Sequence, residues 1–354
     1  MRVKKKEISI GNVKIGAENP IVLQSMTTTN TADAVKTLEQ INELYLAGCQ
    51  IARVAVPDEK SAYTLEEICA KSPIPVVADI HFDHKLALIS ADMGISKIRI
   101  NPGNIGPEKN VELVAKKCLE KNIPIRIGVN SGSVEKNILK KYGAPTPEAL
   151  VESAFYHINL LEKYDFKDIC VSIKSSNVQN MMKSYMLMSE KSDYPLHLGV
   201  TEAGTEYMGT IKSSIGIGGL LALGIGDTIR VSLTDDPVKE IIAGKAILKS
   251  LGLNDTGVDV VSCPTCGRCN VNLIEIAKEV EQKVSKIKEK LTVAVMGCVV
   301  NGPGEAREAD YGLAGGNGEG IIFKKGKIIK KVPQNEVVEQ LLDMIYEDIG
   351  EVNA

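Results

Sequence analysis

Eight short runs of β-branched residues, each followed by a longer amphipathic stretch, limit what this chain can fold into more than any other feature. The expected strands are 21–23, 51–56, 75–80, 97–100, 124–129, 168–173, 195–200 and 228–233, with helical patterns such as 32–47, 111–120, 147–164, 178–191 and 217–223 between them. That rhythm predicts an α/β chain opening on a (β/α)8 TIM barrel. An open doubly wound sheet would want a glycine-rich phosphate turn after an early strand, whereas Gly216, Gly218 and Gly219 come late and lack the spacing. With 354 residues the chain exceeds one barrel. The linker Gly252–Gly257 divides it into a substrate-binding barrel, 1–252, and a smaller α+β domain, 253–354.

The residues just past each strand run form an unusual set. Arg53, Asp79 with His81, Arg99, Arg126 with Asn130, Lys174, Glu202, and Arg230 with Ser232 occupy positions that a barrel brings together at its C-terminal mouth. Charges at strand ends ordinarily meet solvent, but these arginines sit inside β-branched runs, where an unpaired guanidinium is costly to bury. Together they predict a pocket for a strongly anionic ligand, a diphosphate being the obvious candidate. Glu202, a carboxylate among cations, either pairs with one or acts as acid and base. His81 is a proton donor or a substrate ligand, whereas His157 and His197 read as structural.

A net charge of −3 gives no reason to expect nucleic acid or an anionic membrane as partner, and no window is long and apolar enough for a membrane span. The basic start, Met1 to Glu7, runs into Ile8-Ser9-Ile10 rather than a signal core, so a cytoplasmic protein is expected. In a reducing compartment, eight cysteines argue for metal or catalysis rather than disulfides. Cys49, Cys69, Cys118 and Cys170 lie in apolar patterns and read as unreactive core thiols. The other four do not. Cys263, Cys266 and Cys269 form a CxxCxxC turn, and Cys298 follows a helical spacer in Gly297-Cys-Val-Val-Asn-Gly-Pro-Gly-Glu305. Four thiolates fit structural zinc or an iron–sulfur cluster, and the missing second CxxC, with Glu305 nearby, favours the cluster.

Ser262-Cys-Pro-Thr-Cys-Gly-Arg268 and Gly297–Glu305 resemble the signatures of the bacterial 4-hydroxy-3-methylbut-2-enyl diphosphate synthases of the non-mevalonate isoprenoid pathway. The likeness continues through Ala52–Pro57, Ala78–Phe82, Arg99–Asn104, Arg126–Gly132 and Val200–Gly204, and the length resembles the compact two-domain form. The resemblance implies a [4Fe-4S] cluster held by Cys263, Cys266, Cys298 and Glu305, with Arg53, Arg99, Arg126, Asn130, Lys174, Arg230 and Ser232 around the diphosphate. It also implies reductive opening of 2-C-methyl-D-erythritol 2,4-cyclodiphosphate, with reduced flavodoxin or ferredoxin as donor and a head-to-tail homodimer. Glu202, Asp79 and His81 are the expected catalytic groups. Cys269 departs from the family motif and, as the softer donor, competes with Glu305 for the fourth position. Two other functions use the same features: a non-redox barrel enzyme with a Schiff-base Lys174 and structural zinc, and an iron–sulfur carrier with no need of the arginines.

Overall fold

The β-branched runs become strands whose outward side chains pack under helices, which leaves the inward side chains free for other work. A computed structural model describes residues 2–101, 103–253, 256–269, 271–298, 304, 306–316 and 318–350. The chain divides into two compact units, Met1–Leu253 and Asn254–Ala354.

In the first unit a hairpin, β1 (Ile8–Ile10) and β2 (Val13–Ile15), precedes eight parallel strands. These are β3 (Val22–Met26), β4 (Ile51–Ala55), β5 (Val76–Asp79), β6 (Lys97–Ile100), β7 (Ile125–Asn130), β8 (Ile169–Lys174), β9 (His197–Leu198) and β10 (Thr228–Ile229). From β3 to β8 each strand pairs with the next, β9 pairs with β10 and β10 with β3, and a single bridge from Val171 to Leu196 joins β8 to the β9 segment. Followed once around, the registers return to β3 displaced by eight residues, the shear of a TIM barrel.

Three strands differ from expectation. β3 extends to Met26 because Gln24, Ser25 and Met26 pair with Ile51, Ala52 and Arg53. β9 shrinks because Pro195 has no N–H to donate and Gly199 has no side chain to pack; β10 stops where the chain turns into the mouth loop. The glycine-rich stretch lies in a longer helical segment, Glu206–Ala222, with a π-turn over Ser214–Gly218.

Outward residues such as Leu23, Val54, Ile98, Ile127, Val171 and Ile229 pack on the helices in one large apolar cluster. Ile8, Ile10 and Ile15 of the hairpin close the barrel bottom against Val22, Ile51, Val77 and Cys170. Asp58, Asp83, Asn177 and Asp236 accept backbone N–H groups at four helix starts just after the mouth loops, worth about 1 kcal/mol each.

The second unit is a five-stranded sheet in sequence order: β11 (Val258–Ser262), β12 (Leu291–Met296), β13 (Tyr311–Gly315), β14 (Glu319–Lys324) and β15 (Lys327–Pro333). The first three are parallel and the last two antiparallel. Helices Leu273–Val284 and Val337–Ile349 cover one face through Leu273, Val280, Val284, Leu341 and Ile345; Ala294, Met296, Ala306, Ala309 and Phe323 form a smaller cluster on the other. Among the described residues no helix is long and apolar enough to cross a membrane.

Candidate active site: a guanidinium layer and a cysteine turn

A barrel with this shear stacks inward side chains in layers of four from alternate strands. Such layers are ordinarily aliphatic. Above a layer of Ile51, Lys97, Cys170 and Thr228, the registers place Gln24, Val77, Arg126 and His197 together. The next holds Arg53, Arg99, Ser172 and Arg230, and the one above it Met26, Asp79, Gly128 and Gly199. Lys174 tops the stack, opposite Asn130 on β7.

The two glycines make the arginine layer sterically possible. A Cβ on Gly128 would lie 2.4 Å from Arg99 Nε, and one on Gly199 3.1 Å from Lys174 Nζ. Bare backbone at these points is the space the cationic heads occupy.

Two buried carboxylates hold three of the guanidiniums. Arg99 Nη1 lies 3.1 Å from Asp79 Oδ1, and Arg53 Nε lies 3.9 Å from Asp79 Oδ2 while also touching Met26 Sδ. Burial alone would raise the Asp79 carboxyl, but Arg53, His81 and Arg99 reverse this and hold it well below its ordinary range. It is a fixed anion. On the other side of the layer, Arg230 makes two bonds to Glu240, Nε at 3.2 Å and Nη2 at 3.0 Å.

Among the described residues Arg126 and Lys174 have no such carboxylate. Arg126 is fully buried one layer deeper than a mouth residue should be, and its Nε and Nη1 find no hydrogen-bond partner among the described residues. Burial, then Arg53, Arg230, Arg126 and Arg99, push the Lys174 ammonium well below its ordinary value. An arriving dianion meets a cup whose charges already oppose one another, so its neutralising effect is large.

The other expected residues stand at the rim. His81 is exposed, with Nε2 3.4 Å from Asp79 Oδ2. Glu202 is exposed with φ +51°, a left-handed backbone rare outside glycine, and pairs with no cation among the described residues. Asn130 and Ser232 are half-buried. His157 and His197 are fully buried, His157 Nε2 lying 2.7 Å from Glu135 Oε1 and His197 Nδ1 2.7 Å from Thr228 Oγ1.

Four residues escaped the sequence reading. Gly128 and Gly199 interrupt strand runs, a signal of close approach. Glu240 falls on the apolar stripe of Pro237–Ser250 with Pro237, Ile241 and Gly244, where a carboxylate demands a buried partner. Lys97 is fully buried with no hydrogen-bond partner for its ammonium among the described residues, and burial, aided by Arg126 and Arg53, pushes it down to about 7.

In the second unit the thiols lie at the C-terminal ends of β11 and β12. Gly297 N–H donates to Cys263 Sγ at 3.2 Å, and Cys266 is exposed, with the backbone N–H and side chain of Arg268 holding its thiol below the usual value. Cys269 Sγ donates to the Val271 carbonyl at 3.3 Å and lies against Gly297, where a Cβ would come within 2.7 Å of it. Glu305 and residues 299–303 lie outside the described residues, and among the described ones no three His, Cys, Asp or Glu side chains gather as a metal site. The donor chemistry nonetheless suits a soft metal centre: an exposed Cys266 whose thiol is held below its usual value and a Cys263 sulfur that accepts an N–H stand near adjacent strand ends. By contrast, burial pushes Cys49 up to about 11 and Cys69 and Cys118 up to about 12, as inert core thiols require.

Sequence models of two domains match the chain: the GcpE TIM-barrel domain over residues 5–245 and the GcpE protein C-terminal domain over residues 259–347. It is 59% identical over 342 residues to a 4-hydroxy-3-methylbut-2-en-1-yl diphosphate synthase (flavodoxin) of Fusobacterium nucleatum, covering 97% of each. To the same enzyme of Caldanaerobacter subterraneus it is 60% identical over 351 residues, 99% of each. Among solved structures, 3-dehydroquinate dehydratase of Geobacillus kaustophilus matches with a TM-score of 0.50 at 14% identity, over 71% of this chain and 99% of that one, a likeness of fold alone.

Proposed function

We propose a function from one premise: the chain belongs to the GcpE family, the 4-hydroxy-3-methylbut-2-en-1-yl diphosphate synthases. It is an oxidoreductase of isoprenoid precursor synthesis that opens the ring of 2-C-methyl-D-erythritol 2,4-cyclodiphosphate and removes a hydroxyl, giving (E)-4-hydroxy-3-methylbut-2-enyl diphosphate. The observation that carries this reading is the stacked guanidinium layer with two further basic side chains, Arg126 and Lys174, that no carboxylate among the described residues pairs with.

Arg126, Lys174, Arg53, Arg99 and Arg230, with Asn130 and Ser232 at the rim, bind the diphosphate. They stabilise the charge that develops on oxygen as the ring C–O bond breaks. Asp79 fixes Arg99, Arg53 and His81; being held ionised, it orients and does not donate. Glu202 on its strained rim turn supplies the proton with which the hydroxyl leaves as water, and His81 orients the substrate. Cys263, Cys266, Cys298 and Glu305 would hold a [4Fe-4S] cluster, which when bound supplies low-potential electrons one at a time. Reduced flavodoxin, the donor in the relatives' name, or ferredoxin provides them.

We place the enzyme in the cytoplasm as a head-to-tail homodimer, the cysteine end of one copy serving the barrel of the other. Subunit mixing tests the head-to-tail arrangement. Arg126→Met and Cys266→Ser chains, each inactive alone in an anaerobic assay with the cyclic diphosphate, should regain activity when combined, because one site in the mixed dimer has both parts intact. No recovery would place both parts of the site in one chain. Failure of the reconstituted wild type to consume the cyclic diphosphate would remove the function itself.

A further inference from the structure

Glu240 is 3% exposed and lies on helix Pro237–Ser250, away from the layers of inward side chains. Its carboxylate accepts four hydrogen bonds: Arg230 Nε at 3.2 Å, Arg230 Nη2 at 3.0 Å, Ser25 Oγ at 2.8 Å and the Leu233 N–H at 3.0 Å. These donors come from β3 and from the chain just beyond β10, so one side chain ties together the seam where the first and last barrel strands meet. Burying a carboxylate to close a seam is an expensive choice when apolar packing would serve. What it adds is direction: a two-pronged grip fixes the plane of a guanidinium. We propose that Glu240 is a positioning residue for the reaction, locking the Arg230 guanidinium in the plane from which it meets the diphosphate.

This inference rests on the reading of the mouth as the diphosphate site. Three roles predict different outcomes for Glu240→Gln. If Glu240 only tempers the positive charge of the cup, its removal strengthens anion binding and lowers KM. A brace for the seam alone lowers the melting temperature and leaves KM where it was. Positioning raises KM, because Arg230 is freed to leave its productive plane.

The experiment measures steady-state turnover of the cyclic diphosphate by the iron-loaded, dithionite-reduced enzyme, with a melting curve for each variant. Glu240→Gln should raise KM about tenfold, the loss of one well-aligned charged contact, with kcat within about threefold of wild type. In an Arg230→Gln background the same change should add almost nothing, since the group it aims is gone. Glu240→Asp, which keeps the charge but shortens the reach by one methylene, provides the readout if the Gln variant does not fold, and its KM should rise too. A lowered or unchanged KM in the folded variant, or full additivity with Arg230→Gln, overturns the inference. A wild type that does not act on the cyclic diphosphate would instead overturn the reading it rests on.

Discussion

The barrel mouth and the cysteine end of the second unit are built in opposite ways. At the mouth Arg53, Arg99 and Arg126 rise from parallel strands, are buried, and sit in layers set by the barrel's shear. At the cysteine end Cys266 is exposed, Cys263, Cys269 and Cys298 are half-buried, and all four lie beyond strand ends. The difference is physical. Like charges repel, so a cationic cup keeps its shape only if the scaffold and a few carboxylates hold it before the anion arrives. Thiolates around a soft metal need no such frame, because bonds to the metal supply the order.

The contrast makes predictions that can break it, and the largest concerns the cysteines. Cys266→Ser should reduce iron content and turnover to background while the barrel's unfolding transition stays in place, read by iron analysis and thermal melting. Arg126→Met should do the reverse: iron content unchanged, kcat/KM lowered roughly a hundredfold or more. Asp79→Asn removes the anion between Arg99, Arg53 and His81 and should destabilise the first unit by about 3–5 kcal/mol, measured by denaturant unfolding.

Lys97→Met is a smaller effect of opposite sign. The Lys97 ammonium is pushed from 10.5 down to about 7, so between those values the unfolded chain holds a proton that the folded one has released. Wild-type stability should therefore gain from this group as pH rises from 7 towards 10.5, and its cost is fully present below 7. The methionine variant should melt higher at neutral pH, with the advantage fading as pH approaches 10.5. Smallest of all, Cys269→Ser should keep its iron, since that thiol already donates to the Val271 carbonyl; loss of iron would make it a ligand in place of Glu305.

Much of the barrel could be read from the sequence because β-branched runs and amphipathic stretches have distinct periods, and because arginines inside apolar runs are too costly to be accidental. Residues that act through others were harder to see. Glu240 looks like one more acid on a helix until the helix phase shows it on the buried face. Gly128 is legible as a break in a strand, but only the register reveals that Arg99 fills the space it leaves. Lys97 opens a strand run and resembles an edge charge; its full burial follows from the alternation that puts Ile98 on the helix side. Arg126 was expected at the rim, yet the shear sets it one layer below Arg99 although the two are register partners.

The division between the two units is tested most directly by calorimetric titration of metal-free protein with the cyclic diphosphate. Binding should persist without iron and in Cys266→Ser, and disappear in Arg126→Met and Lys174→Met. If the cysteine variant loses binding while the two barrel variants keep it, the anion site is not the guanidinium layer.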